Sequence, residues 1–550
     1  MKKRISIYQV LPRLFDNPNC TNEPHGSIGT NGVGKLNAFT DTALQAIKGL
    51  GCTHIWYTGI IEHATKTKFQ GIEPDHPDIV KGEAGSPYAI KDYYDVAPEL
   101  ATNVSKRHLE FKQLIERSHD AGLDVIIDFV PNHLARQYYS DSKPSYIHDF
   151  GEDDDTSIPF SPQNNFYYLP SETLTFGSYV ESPAKATGNN QFTAQPSHND
   201  WYETVKLNYG KDYQDGTEHY TTPPNTWLKM LDILTYWAQK GIDGFRCDMA
   251  EMVPTAFWSW VIPQLKKGFP HLLFIAEVYQ PHLYQAYLAA GFDYLYDKVG
   301  LYDTLIGVIK GKTSTIEIGK SHQSLGHING RMLHFMENHD EPRLASDFIA
   351  QSAERAFPAM AVSTLIDGAP IMTYFGQELG EKGMDEEGFS GLDGRTSIFD
   401  YWSLKSMQQW IGVEKDFLGT ALSTEAKALR NRYQKLLHLS TSLPSITEGS
   451  FYDLMYVNPS HAEKGVYTFI RKSSQEISII CVNFSESRHT IETHFPPEFF
   501  THYTLDPAQI YQVTEEPTGL RSITQLSSIY NYIFEIEPFD YKIHCLCPIL

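Results

Sequence analysis

The sequence predicts an α/β chain: a (β/α)8 barrel of eight parallel strands, an irregular insertion after the third strand, and a C-terminal antiparallel β-sandwich. Three observations predict it. Eight short apolar runs alternate with helical patterns, a polar stretch from 134 to 220 is too long for a simple connection, and the pattern switches to period-two alternation near Ser445.

The apolar runs fall at 5–10, 53–57, 124–128, 241–246, 272–276, 292–295, 331–336 and 370–374, bounded by Gly, Pro or charge. Runs of this length and flanking chemistry read as buried parallel strands, and the helical patterns between them supply the crossovers such strands need. The stretch 134–220 is rich in Ser, Asn, Asp, Pro and Tyr, and a structureless loop of that size is improbable. The barrel pattern ends with a helix at about 425–439, after which 465–470, 476–482 and 530–536 alternate apolar and polar residues between polar turns. The expected divisions are 1–133 with 221–444 for the barrel, 134–220 for the insertion and 445–550 for the sandwich.

In a parallel barrel, groups that meet substrate sit where strands end, at the C-terminal face. Asp128, Asp248, Glu277 and Asp340 all fall there, with Arg246, His133 and His339 beside them. One acid at a strand end more often caps the next helix or joins a structural ion pair. Repetition at four strand ends points instead to sugar chemistry, in which two carboxylates divide the roles of nucleophile and acid. His133 alone would read as a satisfied loop histidine, and Tyr88 alone as a packed aromatic.

Asp128-Phe129-Val130-Pro131-Asn132-His133, Gly244-Phe245-Arg246-Cys247-Asp248, the strand ending at Glu277, and Asn338-His339-Asp340 resemble the four signature segments of the α-amylase superfamily of glycoside hydrolases, in order and approximate spacing. Pro87-Tyr88 with Asp92-Tyr93, and Gly368-Ala369-Pro370 leading into Tyr374-Phe375-Gly376-Gln377-Glu378, agree with it. The resemblance implies that Asp248 is the nucleophile, Glu277 the general acid and base, and Asp340 the carboxylate that stabilises the distorted sugar. It implies substrate binding by Tyr88, His133, Arg246, His339 and Arg343, and a supporting role for Asp128. Asp248 is then expected to stay ionised beside Arg246, on the same strand face, while the surroundings of Glu277 raise its pKa relative to Asp248.

The resemblance also implies that the insertion overhangs the cleft and helps set substrate preference. The activity it implies is retaining hydrolysis of α-1,4 links in malto-oligosaccharides or other α-glucans through a covalent glycosyl-enzyme intermediate. A transglycosylase or an α-glucosidase, α-1,6 or trehalose-directed, is the alternative within the family. A catalytically inactive carbohydrate-binding relative is the alternative from another class, opposed by the presence of all three carboxylates, Arg246 and both histidines.

That chemistry requires no cofactor, although calcium is possible. Asn132 matches a family ligand that joins barrel to insertion, but the partner segment, Asp-rich in the family, reads Val205-Lys206-Leu207-Asn208-Tyr209-Gly210. The acidic run Glu152-Asp153-Asp154-Asp155 reads as a solvated turn, because consecutive acids do not easily converge on one ion. Tyr167-Tyr168, Trp201-Tyr202, Trp258 and Trp260 are aromatics that could carry sugar rings, with packing as the default reading. The net charge of −22 argues against nucleic acid, and no run approaches membrane-spanning length. Six cysteines lie scattered without zinc or redox spacing, and the run from Ile5 to Leu11 is broken by Ser6, Tyr8 and Gln9 before Pro12, so it reads as a strand and not an export signal. Both point to the cytoplasm, with an α-gluco-oligosaccharide as the expected partner.

Overall fold

The structure is a computed structural model that describes residues 4–549. Eight parallel strands close into a barrel: Ser6–Val10 (β1), His54–Tyr57 (β2), Asp124–Phe129 (β3), Gly244–Cys247 (β4), Leu273–Ala276 (β5), Tyr294–Tyr296 (β6), Met332–Phe335 (β7) and Ile371–Tyr374 (β8). Closure comes from β1, which pairs with β8 through Ser6 and Ile371 and with β2 through Ile7 and His54. Each strand coincides with one of the eight apolar runs, because strands covered on both faces need side chains that tolerate burial in either direction. Helices between them present apolar stripes to the barrel. Asn225–Gln239, for example, buries Trp227, Met230, Ile233, Leu234 and Trp237, and the helices at Asp41, Ala353 and Thr424 start under side-chain caps from Thr40, Ser352 and Ser423.

Two excursions leave the C-terminal face. After β2, Ile61–His63 pairs antiparallel with Ile90–Val96, and the connection between them carries Tyr88. After β3 the chain enters the insertion, whose first strand, His133–Ala135, pairs antiparallel with its last, Thr204–Lys206. Entry and exit are thus hydrogen-bonded to each other, with His133 opposite Lys206. Between them lie two small two-stranded sheets around a core of Leu174, Ala184 and Ala194. The run 152–155 is a turn in which Asp154 accepts from the backbone N–H groups of Asn165 and Phe166.

From Ser450 onward the strands are antiparallel. Six form one sheet, and His489–His494 with Asn531–Ile536 form a second, the two enclosing Ile470, Ile479, Ile491, Phe499, Phe534 and Leu546. The six cysteines are free thiols. No helix among the described residues is long and apolar enough to cross a membrane.

Candidate active site

The site is laid down by the end of β4. Side chains alternate along a strand, so Arg246 and Asp248 share a face. The barrel ladder continues past the strand ends, with Asp248 N–H bonded to Phe129 O at 2.9 Å and Glu277 N–H to Cys247 O at 3.1 Å. Both carboxylates therefore start from fixed backbone.

Arg246, wholly buried, is the hub. Its Nη1 donates to Asp248 Oδ1 at 2.8 Å and to Asp128 Oδ1 at 3.3 Å, its Nη2 is ion-paired with Glu277 Oε2 at 2.7 Å, and its Nε donates to the Tyr296 hydroxyl at 3.1 Å. Glu277 also accepts from Met249 N–H at 2.7 Å and from the Tyr279 hydroxyl at 2.6 Å. Asp128 accepts from Trp56 Nε1 at 2.9 Å and from the Tyr88 hydroxyl at 3.3 Å. The Tyr88 hydroxyl also meets His339 Nε2 at 2.6 Å, which in turn lies 3.0 Å from Asp340 Oδ2, while Gln9 holds the other ring nitrogen at 2.8 Å.

The surroundings of Asp248 favour its ionised form less than expected. Burial raises its pKa well above the ordinary value; Arg246 opposes this, and the carboxylates of Glu277, Asp128 and Asp340 add to it. The expectation that Arg246 keeps Asp248 ionised did not allow for this guanidinium being shared among three acids. Asp340 behaves oppositely. Burial would raise its pKa, but the His339 ring beside it, aided by Arg246 and Arg395, brings it down to about 2. Burial, with the positive charges of Lys206 and Lys81, lowers His133 to about 3, so its ring is neutral near pH 7 and can both donate to and accept from hydroxyls.

Asp248, Glu277, Asp340, Tyr88 and His133 line one cavity of about 290 Å³. A second, of about 390 Å³, shares Asp340, Ile398 and Phe399 with it and includes His339; a third, of about 560 Å³, shares Met249. Further cavities thus adjoin this one at Met249 on one side and at Asp340 on the other. Arg246 stands behind this wall, bonded to the three acids and to the Tyr296 hydroxyl.

Arg343 is a correction. It is fully buried and absent from these cavity walls, donating to Glu337 Oε2 and Phe375 O at 2.9 Å and to Thr396 Oγ1 at 2.8 Å with its guanidinium 4.1 Å from the centre of the Tyr374 ring. It fastens the loop after β7 to the loop after β8.

Other wall residues escaped the sequence reading. Tyr279 lies two positions past Glu277, a spacing that keeps side chains on one face and could have flagged it. Lys81, paired with Glu203 at 2.9 Å, and Ile398 with Phe399 come from remote loops with no local signal. Trp201 lines the cavity with its ring 5.1 Å from His133, whereas Trp258 is core.

Asn132 does not fit a calcium ion. Its Oδ1 accepts from the ammonium of Lys206, which also donates to Met252 O at 3.1 Å, and its Nδ2 donates to Gly188 O at 2.8 Å. A side chain at Gly188 would meet His133 Cβ at 2.9 Å, so the chain passes too close there for anything but glycine. A buried lysine holds the position a cation would take, and the possible calcium at Asn132 is withdrawn on that ground.

Three carboxylates facing one cavity at the C-terminal face of a parallel barrel, two of them on one guanidinium, define a protein of the carboxylate-glycosidase class. The family model for the α-amylase catalytic domain matches residues 9–272. The α-amylase MalA of Haloarcula japonica is 27% identical over 394 residues, covering 69% of this chain and 45% of that protein, and α-amylase 3 of Dictyoglomus thermophilum is 25% identical over 443 residues, covering 76% and 75%. A solved structure of an α-amylase from Geobacillus thermoleovorans, complexed with acarbose, superposes with a TM-score of 0.64 at 19% identity over 98% of each chain. The chain belongs to the α-amylase superfamily of glycoside hydrolases.

Proposed function

We propose that the protein is a retaining α-glycoside hydrolase that cleaves α-1,4 links in malto-oligosaccharides through a covalent glycosyl-enzyme intermediate. The observation that carries this reading is the single guanidinium of Arg246 clasping both Asp248 and Glu277. Two carboxyl groups on one guanidinium stand close together, in keeping with the roughly 5 Å of retaining glycosidases and not with the wider gap that admits a water molecule in inverting ones.

Asp248 attacks the anomeric carbon as the bond to the leaving oxygen breaks, and Glu277 gives its proton to that oxygen. The departing sugar leaves a glycosyl ester on Asp248. Water then attacks the same carbon, Glu277 takes its proton, and the ester bond breaks to free Asp248. Asp340 and the neutral His133 bind hydroxyls of the sugar in the cavity, Tyr88 stacks on its apolar face, and charge developing on the ring is met by the surrounding carboxylates. His339 orients Tyr88 and Asp340, to both of which it is bonded. Cavities that adjoin the carboxylate pocket at Met249 and at Asp340 favour a substrate chain of several rings over a single terminal sugar.

The test is a time course of products from maltoheptaose and panose for wild type, Asp248→Asn and Glu277→Gln, with the anomer of fresh product read by NMR. Shorter maltooligosaccharides of α configuration, absent in both variants, are expected. Products longer than the substrate would make the protein a transferase, and panose cleaved to maltose and glucose would make it α-1,6-directed. β-Anomers would remove the retaining mechanism.

A further inference from the structure

The insertion carries a cavity of its own that the proposed hydrolysis leaves unused. It measures about 500 Å³ and is walled by Phe160, Tyr167, Phe192 and Tyr213, with Glu172 and Asp212 among its polar residues. Tyr167 is the buried post of this wall, 3% exposed and with its hydroxyl donating to Lys211 O at 2.8 Å. Three rings gather on it. Phe192 and Tyr213 meet it edge-on, each 5.4 Å away between ring centres, and Phe160 stacks nearly parallel at 6.1 Å. Phe192 and Tyr213 also touch each other, with centres 5.2 Å apart.

Rings packed this closely are ordinarily buried, but Phe192 and Tyr213 stay 40% and 39% exposed. Single exposed apolar residues need no explanation; adjacent rings walling one cavity do. Because Tyr167 holds both rings in place, a ligand lying on them costs little side-chain freedom.

The chemistry of the wall narrows the occupant. Among the described residues no lysine or arginine lines this cavity, and Glu172 and Asp212 repel an anionic ligand. Lys211 lies 5.9 Å from the centre of the Tyr213 ring, but it lines the neighbouring cavity, where it faces Glu218 at 3.7 Å. Carboxylates accept hydrogen bonds from hydroxyls, and aromatic faces take flat C–H surfaces, so the wall suits a neutral, polyhydroxylated molecule with apolar faces. Glucosyl rings have both kinds of surface. Position agrees with chemistry, because Tyr213 also lines the cavity of about 560 Å³ that adjoins the carboxylate pocket at Met249.

We propose that Phe192 and Tyr213 form a second glucan-binding platform on the insertion, where a substrate chain extending past Met249 rests its far rings. The choice of glucan rests on the proposed hydrolysis of malto-oligosaccharides. Two contacts along one chain reinforce each other, so the platform favours long chains, and a chain too short to reach both gains nothing from it.

The test is isothermal titration of the Glu277→Gln protein with amylose and with maltotriose, alongside a time course of the wild type on amylose. Phe192→Leu and Tyr213→Leu keep apolar bulk against Tyr167 but lose a flat face. Combined in the Glu277→Gln protein, they should weaken amylose binding about tenfold relative to maltotriose, whereas Tyr213→Phe, which keeps the face, should retain the original ratio. Hydrogen exchange needs no substitution in the cavity and keeps the test decisive if the leucine variants fail to fold. In the Glu277→Gln protein, amylose but not maltotriose should slow exchange across 160–169 and 211–214. An unchanged ratio in the leucine variants, or equal protection by both ligands, would overturn the platform and leave the hydrolysis to stand on the amylose products. Amylose bound with the expected ratio but not cleaved would keep the platform and remove the hydrolase reading, and amylose neither bound nor cleaved would overturn both.

Discussion

At Asp248 one guanidinium is set against three other carboxylates, and burial adds to their effect. With Asp248 as the proposed nucleophile, acid removes its ionised form at a pH above the ordinary aspartate value, and kcat/KM should fall there on the acid side. Asp128 contributes one of the repelling charges without facing the cavity. Asp128→Asn should lower the Asp248 pKa and move the acid limb down by about one pH unit, measured as kcat/KM against pH on maltoheptaose. A limb that stays in place would mean that another group controls it. Tyr279 gives a second test at this scale, since its hydroxyl donates to Glu277 at 2.6 Å and lies on the cavity wall. Tyr279→Phe removes one donor to a carboxylate and should reduce kcat about tenfold, the rate equivalent of about 1.4 kcal/mol, while KM changes little. An effect confined to KM would make Tyr279 a sugar contact and not a positioning residue.

The insertion is joined to the barrel by the ladder between His133–Ala135 and Thr204–Lys206, and the Lys206 ammonium reinforces that joint from within. Lys206→Met would keep the volume and leave Asn132 Oδ1 and Met252 O without their donor, at a cost of about 1–3 kcal/mol for each buried orphan. New cleavage within 134–203 under limited proteolysis, with the barrel left intact, is the expected result; unchanged resistance would show the ammonium to be dispensable. The same region marks where sequence legibility ends. All eight barrel strands could be read, because burial on both faces demands apolar runs, and the acids at their ends follow from the geometry of parallel barrels. Loss of the Asp-rich segment was equally plain around Lys206. What Lys206 does instead was not, since it depends on a carbonyl 46 residues further along the chain. Arg343 misled for a related reason: it sits in the signature stretch of Asp340, yet the buried acid Glu337 and the carbonyl of Phe375 draw it inward. Lys81, Trp201 and Phe399 meet around the cavity only because three separate loops fold over one face, which no local pattern records.

Across the whole molecule, the barrel and the C-terminal sheets are joined near a buried charge network. Thr315 Oγ1 donates to Val466 O at 3.0 Å, and Arg432 pairs with Asp540 at 2.8 Å. Nearby, His334 on β7 lies 3.2 Å from Asp297 and 3.0 Å from Asp367, while His322, 3.1 Å from Asp367, packs its ring 4.5 Å from Phe451 of the C-terminal domain. Burial disfavours the imidazolium of His334, but Asp367 and Asp297 outweigh it and raise the pKa to about 9; burial likewise opposes the charge on Asp367, but His334 and His322 hold it well below the ordinary carboxylate value. Because the folded pKa of His334 exceeds the unfolded value of about 6.5, the folded chain keeps its proton where the unfolded chain releases it. The resulting stabilisation is fully present below about pH 6.5 and is lost as pH rises through about 9, amounting to about 3 kcal/mol across that window. Asp367 stays ionised throughout and contributes no slope of its own there. Urea unfolding between these limits should therefore show stability declining with pH in the wild type and a flatter profile in His334→Gln, whose absolute stability is lower at pH 6 because two buried carboxylates have lost their cation. Equal slopes in the two proteins would assign the titration to a different group and leave the His334 network without a role in holding the molecule together.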